Sequence, residues 1–85
     1  MNVVRVSNVS KPYWKAIPED VRAAIAAAVP EGHVIHIAPG YRAKPGVADV
    51  SLRREVHTEW GAPSWTVVKQ ERGRDLAYLC RAVLS

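Results

Sequence analysis

The clearest periodic pattern lies in residues 17–32, where apolar side chains recur every four residues. The stripe is formed by Ile17, Val21, Ile25 and Val29. Apolar residues at this spacing share one face of an α-helix, and that face packs against a core. Pro18 suits the first helical position, where its missing N–H has no partner, and the acidic Glu19 and Asp20 favour the positive end of the helix dipole. We predict an amphipathic helix here, ended by Pro30.

Short β-branched segments on either side of this helix predict strands. Residues 3–9 are rich in valine and alternate loosely, as strands do, and Pro12 lacks the N–H that would continue the ladder. Residues 33–38 are again β-branched. Strand, helix and strand in this order indicate a β-α-β unit, whose crossover is right-handed if the two strands are parallel. Residues 39–49 contain two Pro-Gly pairs, which predict a loop.

The second half of the chain fits more than one structure. Residues 50–58 alternate as a strand would, with Val50, Leu52 and Val56 on one face. As a helix, the same segment would align Leu52, Val56 and Trp60 and end at Gly61. We favour the strand. Residues 64–70 predict a further strand and 71–74 a turn. Residues 75–84 are either a last strand or a helix begun by Asp75, and their good helix formers favour the helix.

These elements predict one domain over residues 1–85, of the mixed α+β class. Its expected form is a two-layer domain with a β-α-β start, one amphipathic helix packed on a small mixed or antiparallel sheet of about four strands, and a C-terminal helix as the favoured ending. A chain of 85 residues buries roughly 60% of its unfolded surface. Phenylalanine is absent, so tryptophan and tyrosine must supply the aromatic volume, several of them in the core or half-buried at its edge and one or two at a partner surface.

Charge and cysteine content narrow the class of protein. Twelve basic against eight acidic residues give a formal charge of +4, spread along the chain without a block, which fits a solvated surface better than a dedicated nucleic-acid footprint. Cys80 is the single cysteine, and its apolar surroundings predict a buried thiol. No segment has the pattern of a signal peptide or the length of a membrane span. We therefore expect a cytoplasmic protein that does not contact membranes.

The three histidines are the first candidates for metal binding or catalysis. His33 and His36 differ by an odd number of positions, so on a strand their side chains point to opposite faces. His57 lies in another element, and no set of four ligands at zinc spacing accompanies it. A small enzyme using His36 or His57 with Glu55 or Glu59 remains an alternative. We expect no catalytic residue, no metal site and no cofactor.

Aromatic and basic side chains in loops are the candidates for partner binding. The residues selected are Tyr13, Trp14, Tyr41, Arg42, Lys44, Arg53, Arg54, Arg72 and Arg74. Such groups can hold phosphates or stack unpaired bases if they share one face, so direct DNA or RNA binding is one hypothesis. The favoured hypothesis is a non-catalytic protein that contacts a protein or nucleoprotein complex, with a homodimer also compatible. Small phage or mobile-element inhibitors of host machinery, including anti-CRISPR-type inhibitors, have this size and composition, although no motif here matches them.

Overall fold

The part of the chain that the computed structural model describes, residues 3–40, 46–61 and 63–85, contains four strands and three helices. In chain order they are β1 (Val4–Val6), α1 (Lys11–Lys15), α2 (Glu19–Ala28), β2 (His33–Pro39), β3 (Ala48–His57), β4 (Pro63–Gly73) and α3 (Leu76–Leu84). The predicted α+β class is confirmed. The strand in residues 50–58 and the helix in residues 75–84 are also confirmed, over the alternatives that periodicity left open.

The strands form one mixed sheet in the order β1-β2-β3-β4. β1 pairs with β2 in parallel, with Arg5 opposite His36. The other two pairings are antiparallel. β4 contains a register shift opposite Leu52 and Arg53, and as an outermost strand it carries the exposed Val67 and Val68. Self-association along this edge stays a prediction. Light scattering after size-exclusion chromatography tests it by measuring the oligomeric state.

The core lies on one face of the sheet. It contains Val4, Ile25, Ile35, Ile37, Ala48, Val50, Leu52, Leu76, Leu79, Cys80 and Val83. These side chains come from all three of β1, β2 and β3 and from helices α2 and α3. The predicted stripe of α2 faces this core, since Ile25 is buried and the other three members pack half-buried against it. Two helices, α2 and α3, therefore pack on this face. The sequence predicted α2 from its periodicity, and it favoured a helix over a strand for α3.

Two features near the N-terminus differ from prediction. The first strand ends at Val6, because the chain turns at Ser7, whose carbonyl accepts bonds from the N–H groups of Ser10 and Lys11 at 3.0 Å each. Helix α1 follows, with Pro12 in its first turn. A proline there interrupts a strand and starts a helix equally well, so the residue read as a break marks a helix that sequence analysis missed.

Two predicted boundaries also move. Pro18 is the N-cap of α2, with φ −53° and ψ 144°, and not its first helical residue. The turn predicted over residues 71–74 is shorter, since β4 continues to Gly73 and pairs Arg72 with Asp49. Asp75 does begin α3: its carboxylate accepts a bond from the Tyr78 N–H at 3.2 Å.

Adjacent residues on α3 provide a test of this packing. Leu79 is 3% exposed and Tyr78 is 66% exposed. We expect Leu79→Ala to lower the free energy of unfolding by about 2–5 kcal/mol, since it leaves a cavity in the core. Tyr78→Ala should change it by no more than about 0.5 kcal/mol. Urea unfolding followed by circular dichroism measures both, and equal effects would contradict the position of α3.

Candidate functional site: a basic groove and the helix-free sheet face

The sheet face opposite the core is rich in polar side chains. Successive residues of a strand point to opposite faces, so the burial of Ile35 and Val50 in the core directs their neighbours to the other side. The side chains on this face include Val34, His36, Asp49, Ser51, Arg53, Trp65 and Gln70. None of the described helices contributes to it, since α2 and α3 both pack on the core side. We call it the helix-free face.

A contact between the two edge strands crosses the helix-free face. The Arg5 guanidinium of β1 lies 5.6 Å from the centre of the Trp65 ring in β4, in cation–π geometry. Three inter-strand steps separate these strands, about 14 Å of sheet, so both side chains must lie flat across it. Val34 is only 4% exposed although it is outside the core cluster. Side chains lying over this face therefore shield it from water without a helix.

A small polar niche lies beside that contact. It has a volume of about 100 Å³ and is lined by His36, Ala38, Asp49, Ser51, Arg53, Val67 and Gln70. The Arg53 Nε donates to the Ser51 Oγ at 3.0 Å, which fixes the guanidinium over the face. Asp49 accepts from the Gln70 amide at 2.7 and 2.9 Å and forms an ion pair with Arg72 at 3.1 Å. The niche thus contains one oriented arginine and one carboxylate whose charge is already compensated.

The pKa of His36 reflects the burial and the charges around the niche. Burial lowers the pKa of its imidazole below the usual 6.5, and the positive charges of Arg53 and Arg5 lower the pKa further, against a smaller opposing effect of Asp49. The ring is therefore neutral at pH 7. The guanidinium groups of Arg5 in β1 and Arg53 in β3 are both close enough to lower the pKa of this imidazole.

A larger groove runs along β1 between α1 and α2. Its volume is about 820 Å³ and its lining is Val3, Val4, Arg5, Val6, Lys11, Trp14, Lys15, Glu19, Arg22, Ala23 and Ala26. Four of these residues are cationic and one is acidic. We call it the β1 groove.

Local structure brings the cations of the β1 groove together. Lys11, Trp14 and Lys15 are three and four positions apart on α1, and residues at this spacing share one side of a helix. The Arg22 Nε donates to the carbonyl of Ile17 at 3.0 Å, which holds its guanidinium at the start of α2. Arg5 belongs to the groove lining and also reaches Trp65 on the helix-free face. One arginine therefore joins the two surfaces.

The structure separates most of the residues predicted to bind a partner. Trp14 lies in the β1 groove and Arg53 in the niche, while Arg54 is exposed on the helix-bearing side of β3. Tyr13 and Arg74 line a depression of about 430 Å³ near the start of α3. Arg72 is paired with Asp49. Tyr41, Arg42 and Lys44 lie outside the described residues.

Whether the basic residues share one face was left open by the sequence, and the described members lie at several places, while Tyr41, Arg42 and Lys44 lie outside the described residues. The cations of the β1 groove, Arg5, Lys11, Lys15 and Arg22, were not predicted from the sequence. The four-residue spacing of Lys11 and Lys15 could have indicated a shared cationic surface. It places the two lysines on one side of the chain only if α1 is recognised as a helix.

The tryptophans lie at the edge of the core or at the surface. Trp14 and Trp65 are half-buried, and Trp60, in the turn between β3 and β4, is 91% exposed. None belongs to the buried core cluster. The core is filled by aliphatic side chains, which leaves the indoles at surfaces.

The histidines and the cysteine do not converge on a reaction centre. His33 lies on the core side of β2, where its Nδ1 bonds to the Glu31 carbonyl at 2.8 Å, and His36 lies on the helix-free face. His36 is opposite Ser51, six residues along β3 from His57, or about 20 Å of strand. Cys80 is buried, and burial raises the pKa of its thiol to about 11.

Within residues 3–40, 46–61 and 63–85, no three His, Cys, Asp or Glu side chains are grouped so that they could hold a metal ion. The expectations that the protein has no metal site, cofactor or catalytic residue stay predictions. Among the described helices, none has the length and apolar character needed to cross a membrane.

Comparison with known proteins finds no matching family model, and no match among curated proteins or solved structures.

The lowered pKa of His36 predicts a pH-dependent stability. Above its unfolded value near 6.5 the ring is neutral in both states. As pH falls through that value, the unfolded chain takes up the proton first, so the free energy of unfolding falls until pH passes the lower folded pKa. We expect His36→Gln to lose less stability than wild type between pH 7.5 and pH 5.5 in urea unfolding (about one pH step on each side of 6.5).

Arg53→Gln supplies the matched control for this prediction. It removes one cationic cause of the shift, so an NMR titration should show the His36 pKa moving upward. An unchanged His36 pKa in Arg53→Gln would place the guanidinium elsewhere.

Proposed function

We propose that this protein is a non-catalytic binding protein that acts by contact with a negatively charged macromolecule, which it holds in the β1 groove. The observation that supports the proposal is the imbalance of charge there. Lys11, Lys15 and Arg22 line the groove and Arg5 lies where the groove meets the helix-free face, against a single acidic residue, Glu19. The chain as a whole has only four more basic than acidic residues, so this groove concentrates a large share of the excess.

Such a concentration is costly in the free protein and favourable with an anionic partner. Like charges near one another repel, and charges of one sign lining a concave surface raise the local concentration of oppositely charged ligands. Trp14 adds a half-buried aromatic surface to the same groove, and aromatic side chains are enriched where proteins contact other macromolecules. A protein or nucleoprotein partner with an acidic surface fits this chemistry. An inhibitor of a host complex would work in this way, by covering a surface.

Charge reversal in α1 tests the proposal. The double variant Lys11→Glu/Lys15→Glu changes two exposed residues, so the fold should persist. The probes are a fluorescent poly-glutamate peptide and a fluorescent single-stranded dT oligonucleotide, with binding followed by anisotropy over a salt series. We expect wild type to bind at least one probe with an affinity that falls with salt, and the double variant to lose at least about tenfold.

Arg54→Glu/Arg74→Glu is the matched control, because it makes the same change in net charge at two exposed cations outside the groove. We expect its loss to stay below about threefold, since only long-range charge is altered. Absence of binding to both probes at low salt would overturn the proposal. So would an equal loss in the two double variants, which would indicate net charge and not the groove.

A further inference from the structure

We infer that the anionic partner is a single-stranded nucleic acid, with its backbone along the β1 groove and its bases on the helix-free face beside Trp65. This inference rests on the proposed function and names the ligand of the same surface. It is carried by the continuity of cations and aromatic rings from the groove onto the sheet.

Arg5 supplies that continuity. Arg5 lines the β1 groove, and its guanidinium lies over the Trp65 ring, 5.6 Å from the ring centre. A ligand that occupies the groove therefore meets the helix-free face at the position where the Arg5 guanidinium lies over the Trp65 indole. Bases stack on aromatic rings and on guanidinium planes, whatever their sequence.

The niche provides a phosphate-binding position in addition to the β1 groove. The Arg53 Nε donates to the Ser51 Oγ at 3.0 Å, and Arg53 lines the niche together with His36. The space of about 100 Å³ suits one phosphate group and not a whole nucleotide. Two carboxylates share this face: Asp49 is compensated by Arg72, and Glu55 lies opposite Trp65.

The combination distinguishes nucleic acid from an acidic peptide. An acidic peptide is recognised by cations alone, which the groove already provides. The helix-free face carries the guanidinium groups of Arg5 and Arg53 and the indole of Trp65, and cations combined with aromatic rings are the arrangement expected of single-strand binding surfaces. Bases can stack on this indole in addition to its contact with Arg5, whereas carboxylates gain nothing from the ring.

The first experiment compares ligand classes with the full chain. The probes are a dT oligonucleotide of about 12 nucleotides, within the usual site sizes, and poly-glutamate. We expect tighter binding of the oligonucleotide, with a salt slope that Lys11→Glu/Lys15→Glu reduces by about 1.4, or 0.7 for each of two phosphate contacts. Binding of poly-glutamate without the oligonucleotide would overturn this inference and leave the proposed function standing. Binding of neither would overturn both.

The second experiment tests stacking. Trp65→Ala should weaken oligonucleotide binding by about 5- to 150-fold, the loss of one stacked base, with poly-glutamate binding unchanged. Trp65→Phe, which keeps a ring, should recover most of the affinity and guards against a fold defect in the alanine variant. Trp60→Ala is the control, since it removes the 91% exposed indole outside the niche and the groove. Equal losses in Trp65→Ala and Trp60→Ala would overturn the assignment.

The third readout uses His36, which faces Arg5 and Arg53 as well as Asp49. A phosphate seated in the niche adds negative charge beside the imidazole, so the pKa of His36 in an NMR titration should rise when the oligonucleotide binds. A pKa that does not move with saturating oligonucleotide would exclude a phosphate from the niche and overturn that part of the placement.

Discussion

Burial of aliphatic side chains on one face of the sheet is the constraint on which the other features depend. Ile35, Ile37 and Val50 are fully buried between the sheet and the two longer helices, and each contributes about 1.5–3 kcal/mol of transfer free energy. Because side chains alternate along a strand, fixing these residues toward the helices fixes His36, Ser51 and Arg53 toward the other side. The polar face is a consequence of the packed face.

The parallel pairing of β1 with β2 adds the second element. β1 is only three residues long, yet it places Arg5 opposite His36 and places Val4 in the core. The short turn after Val6 then leads directly into α1, so that the lysines of this helix border the same strand. The β1 groove and the helix-free face meet at Arg5 because one brief strand belongs to both.

Sequence patterns predicted the fold well and the site poorly, for a physical reason. Hydrophobic period determines which faces are buried, so α2, β2 and the ambiguous residues 50–58 could be assigned from their own side chains. The site gathers cations from β1, α1 and α2, which are separated along the chain and meet only through sheet pairing. Tyr13 and Trp14 were selected together as neighbours in sequence, but a helix directs adjacent residues to different sides, and the two line different depressions.

The Arg5–Trp65 contact contributes less free energy than one stacked base does, so a ligand can replace it. A cation–π pair at an exposed site contributes about 0.5–1 kcal/mol, whereas one base stacked on an aromatic side chain contributes about 1–3 kcal/mol. The contact is therefore too weak to hold the fold, which the core already does, and weak enough for a ligand to displace or extend. In the free protein it shields the helix-free face from water and keeps the indole ordered. A ligand that supplies both an anion for Arg5 and a flat ring for Trp65 compensates both partners at once, and a ligand that supplies only the anion leaves the indole uncovered.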